Sequence, residues 1–142
     1  MKIQKRIVGG SYVSKIEKYP FMATLWYVDK NEFKFKAAAI WIGKNFFLTT
    51  AHCIKNRDIR FILIRMGEIN LNRMPLTFQV VRAIMHPGFD SKTMNNDIVI
   101  IEVNESPPSH LTPIKLPFNS YKYYQPGDSV RVLGFGKDEK IT

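Results

Sequence analysis

The residues able to do chemistry in this 142-residue sequence centre on a histidine that follows a short apolar run. Phe46, Phe47 and Leu48 predict a buried strand, and His52 follows in a turn of small residues. A histidine held in such a turn can present a neutral imidazole that accepts a proton near pH 7. The stretch is equally typical of a core histidine at a strand end, so other residues have to decide between the two interpretations.

Asp97 is the second candidate, and it directly precedes an aliphatic run at 98–101. A carboxylate at the edge of a core needs a partner for its charge. An aspartate beside an imidazole can orient the ring and stabilise its charged form. The alternative is that Asp97 only caps a turn. Because His52 and Asp97 are far apart in sequence, only folding could bring them together.

Cys53 is the only cysteine, and it follows His52 directly, so a cysteine nucleophile has to be considered. Adjacent residues on an extended strand point to opposite faces, which counts against pairing of thiol and imidazole if that geometry holds here. We therefore expect a buried, inert thiol. One cysteine cannot form a disulfide within the chain, so no disulfide framework is predicted.

Length, composition and charge favour one globular domain with a basic surface. With 45% hydrophobic residues and a formal net charge of +9, the chain can bury a core and is not of the disordered class. Its basic residues are scattered, and the tightest internal group, at 55–60, includes an acid. This pattern predicts a solvated face rather than a nucleic-acid-binding stripe.

No stretch approaches the ~20 apolar residues of a membrane span. No apolar segment follows the basic residues 1–6, so no signal peptide is predicted.

Short strands separated by turns predict an all-β fold. The predicted strands are 21–28, 33–42, 46–48, 60–66, 76–85 and 98–103, with one more at 129–133. No long segment has a period of 3.6 residues, so long helices are not expected. Many short strands with turn signals between them are typical of a sandwich or a barrel.

Several motifs in order resemble the trypsin/chymotrypsin-like serine proteases. The main ones are Ile7-Val8-Gly9-Gly10, Thr49-Thr50-Ala51-His52-Cys53 and Asn95-Asn96-Asp97-Ile98-Val99-Ile100. The likeness extends to Tyr19-Pro20, His86-Pro87, Leu116-Pro117 and Gly134-Phe135-Gly136. Each motif is weak alone, and their order and separations together carry the resemblance.

The resemblance implies one antiparallel six-stranded Greek-key barrel followed by the first strand of a second barrel. The expected domain organisation is a propeptide-like basic segment at 1–6, a first barrel at 7–116, a linker at 117–127 and the start of a truncated second barrel at 128–142. It also implies an activation cleavage between Arg6 and Ile7, as in the precursors of the family.

By the same resemblance, the expected function is serine endopeptidase activity through acyl transfer, with His52 as general base and Asp97 as its orienter. The expected partners are protein or peptide substrates and a second barrel, with no nucleic acid, no membrane, no cofactor and no metal. The family's secreted setting implies an extracellular protein. The alternative is a non-catalytic protease homologue that binds or regulates other proteins, a role that requires neither His52 nor Asp97.

The sequence departs from the family in its nucleophile and its cysteines. The family's Gly-Asp-Ser-Gly-Gly motif does not occur in the 142 residues, and in Gly127-Asp128-Ser129-Val130 a valine replaces the glycine. We therefore reject Ser129 as nucleophile and expect the chain as given not to cleave peptides. Ala37 stands where the family usually has the disulfide partner of Cys53, which either weakens the inference of secretion or implies a relaxed requirement for disulfides. Gly67-Glu68 resembles the start of a calcium loop in some members, but Arg73 follows instead of a second acid, so no calcium is predicted.

Overall fold

Six antiparallel strands close into one barrel in this computed structural model, which describes residues 10–118 and 124–136. The strands are β1 (Met22–Asp29), β2 (Glu32–Gly43), β3 (Phe46–Thr49), β4 (Ile62–Met66), β5 (Leu76–Met85) and β6 (Val99–Val103). The helical structure of the described residues consists of single-turn 3-10 helices at Ile16–Lys18, Ala51–Cys53, Ile59–Phe61 and Leu71–Arg73. The all-β prediction is therefore confirmed.

The order of strands around the barrel is β1-β2-β3-β6-β5-β4, with β4 hydrogen-bonded to β1. β1, β2 and β3 form a meander, and β4 returns to lie beside β1. A fourth strand that returns beside the first of three is the Greek-key connection, which is the topology expected from the sequence. Because β4 pairs with both β1 and β5, the ring of strands is closed.

Alternating burial along the strands builds the interior of the barrel. Side chains alternate between the two faces of a strand, so every second residue can point inward. The inward rows include Ile62, Ile64 and Met66 on β4 and Val99, Ile101 and Val103 on β6. Phe47 on β3 is fully buried, and its ring centroid lies 6.1 Å from that of Phe78 on β5. The core therefore lies directly beneath the strands that lead to His52 and Asp97.

The segment at 124–136 carries no strand in the structure, which differs from the prediction of a strand at 129–133. Val130 and Val132 are 76% and 75% exposed. A strand persists only where its backbone groups have partners, and the described residues provide no neighbouring strand for this segment. Its anchor is Phe135, which is buried in a small cluster with Met22 and Met74 on the outside of the barrel.

Candidate active site

The pairing of β3 with β6 positions the two candidate catalytic residues. Thr49, the last residue of β3, pairs with Val99, the first residue of β6. Extending this antiparallel register by two positions puts Ala51 opposite Asp97. His52 and Asp97 therefore meet at one end of the barrel, because β3 ends there and β6 begins there.

His52 lies in the 3-10 turn Ala51–Cys53, directly after β3. The turn is fixed to the core by Ala51, which is fully buried, and is closed by a hydrogen bond from the backbone N–H of Ile54 to the carbonyl of Ala51 at 3.1 Å. The side chain of His52 is 47% exposed. The imidazole is therefore attached to a backbone turn that is fixed to the core, and one side of the ring is open to solvent.

Asp97 accepts two hydrogen bonds from His52. Nδ1 of His52 lies 2.6 Å from Oδ2 of Asp97, and the backbone N–H of His52 donates to Oδ1 at 2.8 Å. An ionised carboxylate only accepts hydrogen bonds, so Nδ1 carries the proton and Nε2 keeps its lone pair. This arrangement can accept a proton at Nε2, and the carboxylate then stabilises the imidazolium that forms.

The environment of Asp97 favours its ionised form. Burial acts to raise the pKa of Asp97, but the hydrogen bonds from the His52 ring and backbone and the charge of His52 outweigh it and lower that pKa below its usual value. The Asp97 side chain is 18% exposed. Asp97 is therefore a carboxylate throughout the neutral pH range, as an orienting group has to be.

The loop before Asp97 is held by hydrogen bonds of its own. Asp90 accepts hydrogen bonds from the backbone N–H of Lys92 at 2.8 Å and from the hydroxyl of Thr93 at 3.0 Å. The amide of Asn96 donates to the carbonyl of Gly88 at 3.0 Å. Asn96 has a φ of +54°, which asparagine tolerates better than most residues. These contacts hold the loop that leads to Asp97 and so help to position its carboxylate beside His52.

The thiol of Cys53 lies beside the imidazole, contrary to the geometry assumed from the sequence. Sγ is 3.5 Å from Nε2 of His52 and 3.2 Å from Oγ1 of Thr50. The assumption of an extended strand is wrong at this point, because residues 51–53 form a 3-10 turn. Successive side chains in a turn of three residues are about 120° apart rather than on opposite faces. Cys53 is nevertheless buried, as expected, with 5% of its surface exposed.

The other residues singled out in the sequence are not part of this arrangement. Arg6 and Ile7 lie outside the described residues. Ser129 is exposed, and the side-chain hydrogen bonds of His52 involve Asp97 and Cys53 rather than Ser129.

Within 10–118 and 124–136, no three His, Cys, Asp or Glu side chains are grouped so as to hold a metal ion. The same residues include no helix with the length and apolar character needed to cross a membrane.

An open, largely apolar groove of about 500 Å³ borders Asp97. Its walls include Phe21, Ile40, Leu48, Ile98 and Leu133, with Arg131 as a charged neighbour. The candidate site therefore has an apolar floor on one side and solvent on the other.

Sequence reasoning missed a second groove, which lies between the β1–β2 hairpin and the loop after His52. Tyr27 and Arg57 are central to it, and no motif marks either of them. The only signal was the basic group at 55–60, which the sequence analysis assigned to a solvated face. The residues of this groove come from separate parts of the chain, so only the folded structure brings them together.

The fold and the site define a class of protein, namely a Greek-key β-barrel with a histidine–aspartate pair at one end. A sequence model of the Trypsin family matches residues 7–142. The chain therefore belongs to the trypsin-like serine protease family, and the resemblance seen in the sequence is confirmed.

Individual relatives agree with this family. The chain is 32% identical over 136 residues to granzyme B of Rattus norvegicus, 31% identical over 137 residues to chymase of Canis lupus familiaris, and 29% identical over 154 residues to CLIP domain-containing serine protease B10 of Anopheles gambiae. These alignments cover 92%, 94% and 92% of this chain but 52%, 53% and 42% of the respective relatives. The chain thus spans about half the length of the curated relatives it matches.

Proposed function

We propose that this chain carries the general base and the orienting carboxylate of a serine endopeptidase. The observation that carries the proposal is the 2.6 Å contact between Nδ1 of His52 and Oδ2 of Asp97, reinforced by the backbone hydrogen bond at 2.8 Å. The carboxylate engages Nδ1, so in the neutral ring Nε2 carries the lone pair that can accept a proton. Membership of the trypsin-like family supports the same roles for both residues.

The proposed reaction is acyl transfer from a peptide bond. Nε2 of His52 takes the proton of a serine hydroxyl as the oxygen attacks the scissile carbonyl, and the imidazolium then gives that proton to the leaving amine. Asp97 stays ionised throughout and stabilises the imidazolium. A water molecule repeats the proton transfers when it releases the acyl group. In this proposal the serine is not Ser129, which is exposed and outside the His52 hydrogen bonds.

The serine, the oxyanion hole and the specificity pocket are proposed to belong to a second barrel. Two observations support the assignment of these groups to a second barrel. The relatives are about twice as long as the aligned region, and the apolar groove beside Asp97 offers a surface for another lobe. The proposed domain organisation remains a basic segment at 1–6, the first barrel at 7–116, a linker at 117–127 and the beginning of the second barrel at 128–142.

Processing and location follow from the family in the same way. We propose activation by cleavage between Arg6 and Ile7 and an extracellular site of action. The support is the likeness of Ile7-Val8-Gly9-Gly10 to the family's activated amino terminus. Cys53 is a free thiol in the structure, and the barrel is closed by strand pairing.

The experiment that tests the proposal begins with the transcript downstream of the codon for Thr142. The complete reading frame is expressed and exposed to a serine-directed fluorophosphonate probe, beside a His52→Ala variant and the 142-residue chain. We expect labelling of the complete protein at a serine beyond Thr142, a large loss of labelling in His52→Ala, and no labelling of the 142-residue chain. Labelling at Ser129 would overturn the proposal. A complete reading frame whose corresponding serine is substituted would support the non-catalytic homologue instead.

A further inference from the structure

A polar groove of about 690 Å³ runs between the β1–β2 hairpin and the loop that follows His52. The side chains that matter for its chemistry are Tyr27, Lys34, Lys36, Arg57, Asp58 and Phe61. None of these residues takes part in the histidine–aspartate pair. The groove nevertheless starts beside that pair, because the hydroxyl of Tyr27 donates a hydrogen bond to the backbone carbonyl of Cys53.

Tyr27 organises the cations of the groove. Nζ of Lys36 lies 5.7 Å from the centroid of the Tyr27 ring, and Cζ of Arg57 lies 4.4 Å from it. Both distances are typical of cation–π contacts. Burial raises the pKa of Tyr27, so its hydroxyl keeps the proton that it donates to Cys53. The ring therefore holds two positive charges beside the turn that carries His52.

The acidic side chains of the groove already form ion pairs within the chain. Asp29 pairs with Lys34 at 2.9 Å, and Asp58 pairs with Arg60 at 2.6 Å. No ion pair joins Lys36 or Arg57 to a carboxylate in the part of the chain that the structure describes. Both side chains are exposed. The groove thus offers two cations, already oriented by an aromatic ring, that an external anion can reach.

On the basis of the proposed endopeptidase function, we propose that this groove binds an acidic segment of the protein substrate close to the scissile bond. Carboxylates of the substrate would pair with Lys36 and Arg57, and Phe61, which is 55% exposed, would contact a neighbouring apolar side chain. Cys53, whose carbonyl accepts the hydrogen bond from Tyr27, directly follows His52, so the groove borders the turn that carries the candidate base.

The charge pattern favours an acidic peptide over a nucleic acid. Asp29 and Asp58 neutralise Lys34 and Arg60, so these two cations do not add to the continuous basic stripe that a polymer with a phosphate at every position would need. A peptide can place its carboxylates opposite Lys36 and Arg57 and leave neutral residues opposite the two acids. Exposed charges mainly determine selectivity and association rate, so the groove is a specificity element and not part of the catalytic pair.

The test measures binding without cleavage. A fluorescein-labelled octapeptide with alternating Glu and apolar residues is titrated with the 142-residue chain at low salt, beside the same peptide with Gln in place of Glu. The groove variant is Lys36→Gln with Arg57→Gln. The matched control is Lys15→Gln with Lys44→Gln, which removes the same charge at exposed positions outside the groove. Circular dichroism verifies that each protein is folded, and Arg57→Gln alone replaces the double variant if that one fails to fold.

We expect the Glu peptide to bind at least about tenfold more tightly than the Gln peptide, and the groove variant to lose most of this difference. The control should change the Kd by less than about twofold. Equal losses in both variants would overturn the proposal, since they would reflect net charge alone, and so would a single-stranded oligonucleotide that competes as well as the Glu peptide. Because binding requires no nucleophile, a complete protein that fails to cleave peptides but keeps this preference would refute only the endopeptidase function.

Discussion

Asp97 binds His52 at two points, through the ring nitrogen Nδ1 at 2.6 Å and through the backbone N–H at 2.8 Å. The first contact sets the tautomer of the ring, and the second fixes the turn on which the ring stands. A single aspartate therefore determines both the chemistry and the position of the imidazole.

Asp97→Asn should remove most of the proposed catalytic activity. An amide at this position can present its NH₂ group to Nδ1, which favours the wrong imidazole tautomer. In serine proteases of this family the corresponding substitution lowers kcat by about 10⁴-fold. The measurement is kcat of the complete protein on a peptide substrate. Asp128→Asn, the same change at an exposed position, should leave kcat within about twofold. Similar losses in both variants would contradict the role of Asp97.

Acid should weaken the folded chain partly through Asp97. The pKa of this carboxyl is lowered in the folded state, so its contribution to stability is complete above the unfolded value of about 3.9 and is lost as pH falls through the lower folded value. Urea unfolding of the wild type and Asp97→Asn between pH 2 and 7 is the measurement. We expect the stability advantage of the wild type to shrink as pH falls below about 4. An advantage that does not vary with pH would contradict the assignment.

Cys53 should be protected from thiol reagents. It is 5% exposed, so a reagent such as DTNB reaches it only after local opening of the turn. We expect the native thiol to react at least about 100-fold more slowly than the thiol in strong denaturant. The matched control combines Cys53→Ala with Ser129→Cys, which moves the single thiol to an exposed position. Equal native rates for the two proteins would show that the 51–53 turn is open.

Phe47→Ala should destabilise the barrel strongly. Phe47 of β3 is fully buried, with its ring packed near Phe78 of β5, and truncation of a buried phenylalanine costs about 3–5 kcal/mol through lost contacts and a residual cavity. The measurement is the free energy of unfolding in urea. Phe118→Ala is the control, because Phe118 is 75% exposed and should change that free energy by less than about 0.5 kcal/mol. A loss below about 1 kcal/mol for Phe47→Ala would mean that the core is not packed as described.

Much of the barrel was predictable because hydrophobic alternation is a local signal. The strand at 76–85 matches β5 residue for residue, and the aliphatic run before Val103 gave β6. The strand predicted at 60–66 begins later, at Ile62, because the Asp58 side chain accepts a hydrogen bond from the backbone N–H of Arg60 and caps a 3-10 turn. Side-chain capping competes with strand formation in a way that apolar periodicity does not reveal.

The site was predictable only in part. The resemblance to a family singled out His52 and Asp97, but the register of β3 with β6 that joins them is a tertiary property. The position of the Cys53 thiol was mispredicted because one turn of 3-10 helix replaced the assumed strand. The groove around Tyr27 was missed because Lys36 and Arg57 approach one ring from two different elements.

The hydrogen-bonded contact between β4 and β1 has a consequence for solubility. A ring of strands has no first or last member, so the barrel offers no unsatisfied backbone ladder on which a second molecule could template a fibril. The segment at 124–136 does not reopen that ring, because it carries no strand and is anchored by Phe135 on the outside. Self-association of this lobe should therefore proceed through side-chain surfaces, chiefly the apolar groove beside Asp97, and should yield compact oligomers rather than amyloid.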